Sequence, residues 1–149
     1  MSNESELQIE VEAAINEAGI TSFEVNDSDH VISEIRKIYV EGNPRVWWLS
    51  LKHRKSAKFF CDDSGYITIP ACIKELYGDV YDLSKRVYFV VDEDEDGVEN
   101  SLLVYRVPLD KVPEIIGNCY FFEYYVVALD YSWLIVENHH AEVIVCQYE

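Results

Sequence analysis

The sequence predicts an α+β fold, with a mainly antiparallel sheet and N-terminal helices packed on one face of it. Helical periodicity is strongest in the first 40 residues. From residue 45 onward, short apolar and aromatic runs separated by turn residues are typical of sequential strands, and short connections favour antiparallel pairing. Because 149 residues with 49% hydrophobic composition suffice for one core, we predict a single domain over residues 1–149.

The first predicted helix covers residues 4–18. Its apolar residues recur at the three- and four-residue spacing of a single helical stripe. Gly19 follows directly, and glycine is the usual residue where a helix ends in the left-handed conformation. We therefore expect Gly19 to end the helix and Ile20 to pack back on Ile15 in a Schellman motif.

A second helix is predicted over residues 29–40. Ser28 or Asp29 is its expected N-cap, because hydroxyl and carboxylate side chains accept hydrogen bonds from the free N–H groups of the first turn. Two shorter helices are predicted further along, one that begins at Pro70 and one over residues 110–116. Both are interpreted as short insertions between strands.

Segments with the β-branched and aromatic composition of strands are 46–51, 58–61, 66–68, 86–91, 102–107, 120–129, 133–139 and 142–146. Trp47 and Trp48 are neighbours in the first of them. Since successive side chains of a strand point to opposite faces, only one of these tryptophans is expected to point into the core.

The acidic character of the chain limits its partners. A net charge of −16 repels nucleic acid and anionic membranes and attracts basic proteins. The charge is also segregated: residues 1–35 contain nine acidic residues and neither lysine nor arginine, whereas residues 45–58 contain five basic residues and no acidic one. We therefore expect a basic protein partner, and neither nucleic acid nor a membrane.

No signal peptide or membrane span is predicted, since residues 1–12 are acidic and no apolar run approaches the thickness of a bilayer. The four cysteines include no CxxC pair, and we expect reduced thiols in a cytoplasmic protein.

The sequence also lacks the motifs of phosphate loops, dinucleotide sites, zinc sites and nucleophile elbows. No cofactor and no catalytic residue is therefore assigned.

The acidic run Asp92–Gly97 partly matches a calcium-binding loop. Asp92, Asp94 and Asp96 occupy ligand positions 1, 3 and 5 of an EF-hand, and a glycine stands at position 6. Leu103 stands at position 12, where an EF-hand has a bidentate glutamate, and the flanking segments have strand character. An EF-hand is thus excluded. Two interpretations stay open, a calcium site in a hairpin loop and a solvated acidic hairpin tip.

The most informative stretch is the C-terminal hairpin. If residues 130–132 form its three-residue loop, Tyr125 faces Glu137 and Glu123 faces His139. One sheet face then carries the residues of a candidate partner or ligand site, which are Glu123, Tyr125, Trp133, Glu137 and His139. A slip of one residue in the register would separate them.

Three interpretations of this set are open. Acidic and aromatic side chains together can recognise the lysine or arginine of a basic partner. A carboxylate beside an imidazole could instead hold a proton or ligate a metal ion, as in a small enzyme. The third interpretation is a structural polar cluster whose members hydrogen-bond one another at a sheet edge.

Two parts of the chain resemble known families. Glu123–Tyr125 and Trp133–His140 resemble the EYY…W-L…E-N-H-H ending of a family of small uncharacterised bacterial proteins. The helix that begins at Ile69-Pro70 and ends at Gly78 is similar to the proline-started helix of SMI1/KNR4-like (SUKH) immunity proteins. Such immunity proteins are small, acidic, cytoplasmic α+β domains that bind and neutralise toxins.

The leading hypothesis is a non-enzymatic, acidic protein-binding domain, namely an immunity protein that neutralises a basic toxin. Its grounds are the net charge, the aromatic content, the lack of enzyme motifs and the resemblance to immunity proteins. The alternative is a small metal-dependent or acid–base enzyme with its site at the C-terminal hairpin.

Overall fold

The computed structural model describes residues 6–42, 47–59, 73, 77–78, 82–92, 102–119, 122–138 and 142–148. The α-helices within these ranges are α1 (Glu6–Glu17), α2 (Ser28–Tyr39) and α3 (Val112–Gly117). The strands are β1 (Arg54–Phe59), β2 (Arg86–Asp92), β3 (Leu102–Pro108), β4 (Tyr124–Ala128), β5 (Trp133–Glu137) and β6 (Glu142–Gln147). Short 3-10 helices cover Trp47–Ser50 and Leu109–Lys111.

The six strands form one sheet in the order β1-β6-β5-β4-β2-β3. Every pair of neighbouring strands is antiparallel. Strands β4, β5 and β6 are consecutive in the chain and adjacent in the sheet, as short connections favour. The predicted α+β class with a mainly antiparallel sheet is confirmed.

The sheet is covered on both faces. Helices α1 and α3 pack on one face, which we call the α1 face, and helix α2 packs with Trp47 on the other, the α2 face. The expectation that the N-terminal helices share one face is corrected, because α1 and α2 lie on opposite faces of the sheet. The physical reason is the composition of the central strands, because all five residues of β4 and of β5 are buried, so both faces need an apolar cover.

The end of α1 is the predicted Schellman motif. Gly19 has a φ of +80°, in the left-handed region. The backbone N–H of Ile20 donates to the carbonyl of Ile15 at 3.3 Å, and that of Gly19 donates to the carbonyl of Asn16 at 3.0 Å. These are the two bonds that define the motif. Ile15 and Ile20 are both buried in the core of the α1 face.

The start of α2 differs from the prediction by a residue or two. Asp27, rather than Ser28 or Asp29, occupies the N-cap position, and its side chain makes no capping hydrogen bond. Its carbonyl instead accepts the first helical bond, from the N–H of Val31 at 3.2 Å. The helix is therefore stabilised mainly by burial of its apolar stripe rather than by its cap.

The predicted strand 46–51 is wrong where it is described, because Trp47–Ser50 is a 3-10 helix. The N–H of Trp48 donates to the Tyr125 hydroxyl at 3.2 Å, and the Trp47 ring lies 5.2 Å from the Tyr125 ring. Both tryptophans consequently pack on the α2 face, Trp47 buried and Trp48 partly buried. A 3-10 helix turns by about 120° per residue, so neighbouring side chains need not point to opposite sides as they do on a strand.

Two further predictions concern the middle of the chain. Strand β1 begins at Arg54, earlier than the predicted residue 58. The predicted strand 66–68 lies outside the described residues, as does most of the helix from Pro70. Ile73, which lies within that predicted helix, is fully buried in the core of the α1 face.

Candidate functional site

A groove with an acidic rim lies where α1 and the segment between α1 and α2 meet strand β3. Its volume is about 220 Å³. The described residues that line it are Gln8, Glu12, Glu24, Val25, Ser28, Leu102, Leu103, Val104 and Tyr105. None of these is a lysine or an arginine. We refer to this feature as the acidic groove.

Helix α1 holds the first carboxylate of the groove, Glu12. The Tyr105 hydroxyl donates to Oε2 of Glu12 at 2.9 Å, and the side-chain amide of Gln8, one turn earlier, donates to the same oxygen at 3.0 Å. These bonds fix the position of the carboxylate. Because both end on Oε2, the other oxygen keeps its capacity to accept a hydrogen bond from a ligand.

The second carboxylate, Glu24, is exposed and is positioned through its backbone. Glu24 forms an isolated antiparallel bridge with Tyr105 of β3. Next to it, the N–H of Arg106 donates to the carbonyl of Phe23 at 2.8 Å, and the Phe23 ring lies 5.9 Å from the Tyr105 ring. The segment after α1 is thereby attached to strand β3, which brings Glu24 to the groove that Glu12 borders.

The groove combines two carboxylates with apolar surface from Val25, Leu102 and Leu103. A lysine or arginine side chain has the matching construction, since an aliphatic stem packs on apolar groups while the cationic head pairs with carboxylates. The arrangement therefore has the chemistry that accommodates a lysine or arginine side chain. Sequence reasoning located the acidity in residues 1–35 but did not find the groove, because its members meet through contacts with β3.

The C-terminal hairpin has a register one residue away from the predicted one. Tyr124 pairs with Glu137, and Tyr125 pairs with Val136. Four residues, 129–132, connect β4 and β5 instead of three. Within this loop the N–H of Tyr131 donates to the carbonyl of Ala128 at 2.9 Å, and Tyr131 has a φ of +63°.

This shift separates the predicted site residues. Trp133 packs on the α1 face and Tyr125 on the α2 face, and both are 0% exposed. Glu123 lies on the side of Tyr125, where its Oε1 accepts a hydrogen bond from Nε1 of Trp48 at 3.1 Å. His139 lies outside the described residues. The structure does not bring the described members together on one surface.

Glu137 instead pairs with Tyr124, the neighbour of Tyr125, whose side chain points to the opposite face of the sheet from that of Tyr125. The hydroxyl of Tyr124 donates to Oε1 of Glu137 at 2.5 Å, and Glu137 is 8% exposed. Burial raises the pKa of this carboxyl above its ordinary value, and the hydrogen bond from Tyr124 opposes the increase in pKa. Of the interpretations left open, the structural polar cluster with a Glu–Tyr hydrogen bond fits this pair best.

The calcium candidate is described only in part. Asp92 ends strand β2, where its N–H donates to the carbonyl of Glu123 at 3.1 Å, whereas Asp94 and Asp96 lie outside the described residues. In the described ranges, no group of three or more His, Cys, Asp or Glu side chains could hold a metal ion.

The helices in those ranges are too short or too polar to span a bilayer.

Comparison with known proteins adds one positive finding. No curated protein and no solved structure gives a significant match to the chain. The model of a family of unknown function, DUF6756, matches residues 4–149, which is nearly the whole sequence. The predicted relationship to an uncharacterised family is confirmed at this level, and the chain belongs to the DUF6756 family.

Proposed function

We propose that the chain is a non-enzymatic binding domain for a basic protein, and specifically an immunity protein that neutralises a basic toxin. The observation that carries the proposal is the acidic groove, in which Glu12 and Glu24 border apolar surface at the edge of the sheet. A basic side chain of the toxin would occupy the groove, with its stem against Val25 and Leu102 and its cationic head between the carboxylates.

The surroundings of the groove support this proposal. Nine acidic residues and no lysine or arginine occur in residues 1–35, which supply α1, the start of α2 and the segment between them. A field of one sign accelerates the encounter with a partner of the opposite charge. A toxin that acts on nucleic acid contacts the phosphate backbone through basic residues, and an acidic protein can occlude such a surface.

The same geometry favours binding over the enzymatic alternative at the C-terminal hairpin. In the form that uses both Glu123 and Glu137 with His139, that alternative needs the two carboxylates to share one surface. Glu137 bonds to Tyr124 on the α1 face, while Glu123 bonds to Trp48 on the α2 face. The resemblance of residues 69–78 to SUKH immunity proteins is a further, sequence-level support for the immunity role.

The proposal is tested first by growth. A toxin candidate encoded beside the gene for this chain is expressed in bacteria, either alone or together with this chain. We expect the toxin alone to stop growth and co-expression of this chain to restore it. The purified pair should form a complex whose affinity falls as salt rises to physiological concentration, because screening weakens exposed charge pairs. Affinity that is flat across that range, or a failure to restore growth, would contradict the proposal.

A matched pair of double variants locates the contact. Glu12→Gln with Glu24→Gln removes two charges from the groove and keeps an oxygen that can accept from Tyr105. Glu17→Gln with Glu114→Gln removes two charges from exposed positions outside it. We expect about tenfold weaker binding for the groove pair and about twofold for the control pair. Equal weakening by both pairs would show a general charge effect instead of a contact at the groove.

A further inference from the structure

The described residues also form a cavity of opposite charge character. Its volume is about 560 Å³, and it lies at the end of the sheet where β2 and β5 begin and β4 ends. The described residues that line it are Tyr77, Lys85, Arg86, Arg106, Ala128, Leu129, Asp130 and Ser132. Three cations thus face one carboxylate in a chain whose acidic residues outnumber its basic ones by 28 to 12. We call this feature the cationic cavity.

Arg86 is held rigidly at the wall of the cavity. Its Nη1 donates to the carbonyls of Ser22 and Arg106 at 3.1 and 3.0 Å, and its Nη2 donates to the carbonyl of Thr21 at 3.1 Å. All three acceptors are neutral backbone groups. They therefore fix the guanidinium in place without neutralising its charge.

The other charged groups surround the same space. Arg106 and Lys85 both have exposed side chains, Arg106 on strand β3 and Lys85 directly before β2. Asp130 is the single carboxylate of the described lining, and its Oδ1 accepts a hydrogen bond from the N–H of Ser132 at 3.0 Å. The Ser132 hydroxyl and, more weakly, the Lys85 ammonium lower the pKa of Asp130. Among the described lining residues, three cations and one anion give a net positive charge.

One part of the lining is apolar or aromatic. Ala128, Leu129 and the ring of Tyr77 contribute to it, and the Tyr77 hydroxyl accepts a hydrogen bond from the Gln147 side-chain amide at 3.3 Å. Cavities of about 300–1,000 Å³ that combine apolar surface with a few convergent polar groups are typical of small-molecule sites. Guanidinium groups match the geometry of phosphate oxygens.

We propose that the cationic cavity binds a small phosphate monoester, with the phosphate between Arg86, Arg106 and Lys85 and the organic part against Tyr77 and Leu129. The inference is independent of the proposed function, because its charges have the opposite sign and its residues are different from those of the acidic groove.

Calorimetric titration of the full chain with three probes tests the proposal. Phenyl phosphate carries both the charge and an apolar ring, inorganic phosphate carries only the charge, and benzoate carries the ring with a carboxylate. We expect one phenyl phosphate to bind per chain, more tightly than either of the other two probes. No saturable binding of phenyl phosphate at millimolar concentration, or benzoate binding as tightly, would overturn the assignment.

Arg106→Gln provides the variant, because it removes a charge from the cavity and leaves the backbone carbonyl that holds Arg86. Lys37→Gln is the control, since it removes one exposed charge from α2 outside the lining. We expect phenyl phosphate affinity to fall about tenfold or more in Arg106→Gln and to stay within about twofold in Lys37→Gln. An unchanged affinity in Arg106→Gln, or equal losses in both variants, would overturn the proposal.

Discussion

Tyr124 and Glu137 form a 2.5 Å hydrogen bond between neighbouring strands, at positions that pair directly in the register of β4 and β5. The bond places a carboxyl that is 8% exposed beside a phenol that is fully buried. Burial of an ionisable group is costly unless it is hydrogen-bonded, and this pair meets that condition inside the sheet. Two predictions follow from the pair.

The first prediction is that Tyr124→Phe destabilises the fold. The change removes the donor while the Glu137 carboxyl stays buried, so the free energy of unfolding should fall by about 1–3 kcal/mol. Urea denaturation followed by circular dichroism measures it. Tyr148→Phe is the matched control, because Tyr148 is 44% exposed and should change stability by less than about 0.5 kcal/mol. Equal effects of the two changes would contradict the importance of the buried bond.

The second prediction concerns pH. The folded state raises the pKa of Glu137 above its ordinary value of 4.5, so the native state binds the proton more tightly than the unfolded state does. Protonation of Glu137 therefore stabilises the native state, and this stabilisation is fully present at pH values below the pKa of Glu137 in the unfolded chain. It is lost as pH rises through the pKa of Glu137 in the folded protein. Glutamine cannot ionise. Relative to the wild type, Glu137→Gln should therefore become more stable as pH increases from about 4 to 8.

Denaturation curves at several pH values between these limits test this expectation. Glu17→Gln changes an exposed carboxyl near the end of α1 and serves as the control. A stability difference between wild type and Glu137→Gln that does not change with pH would contradict a raised pKa at Glu137.

The third prediction concerns the end of α1. Gly19 has a φ of +80°, and a Cβ added there would meet no atom within 4 Å, so substitution would cause backbone strain without a clash. Gly19→Ala should destabilise the protein by about 1–2 kcal/mol. Gly117→Ala is the control, since Gly117 is not in the left-handed region and also has open space around it. Thermal denaturation should place Gly117→Ala close to the wild type, and equal losses would contradict the conformational argument.

The fourth prediction concerns tyrosine ionisation. Burial raises the pKa of Tyr39, Tyr125 and Tyr131, in the case of Tyr131 to about 12. The chain contains eleven tyrosines. At about pH 11, the near-ultraviolet absorbance of the native protein should therefore indicate about two to three fewer tyrosinates than that of the urea-unfolded protein. The same absorbance in both states would show that these phenols are not protected.

Local patterns predicted much of the fold. The end of α1 depends on one glycine and on bonds between residues close in sequence, and it was predicted together with its Ile15–Ile20 contact. Strands β2 and β3 were predicted to within one residue, because strings of apolar residues between turns determine strand positions. The 3-10 helix at Trp47–Ser50 was missed because its conformation depends on Tyr125, which is far away in the chain.

The hairpin register was missed for a related reason. A loop of three or four residues fits the same strand composition. The four-residue loop is supported by tertiary contacts, since the Tyr39 hydroxyl donates to the carbonyl of Tyr131 at 2.6 Å and the Tyr88 ring stacks on the Tyr131 ring at 5.9 Å. Neither partner belongs to the hairpin, so the hairpin sequence alone could not identify the register.

The sequence by itself determined the class of the fold, the absence of lysine and arginine from the acidic first 35 positions and the positions of strands β2 and β3. These properties depend on composition and short-range periodicity. Only the tertiary structure decided which charges meet. The bridge between Glu24 and Tyr105 forms one side of the acidic groove, and Arg86 reaches carbonyls of the segment between α1 and α2. Such contacts join residues separated by tens of positions, and no local pattern specifies them.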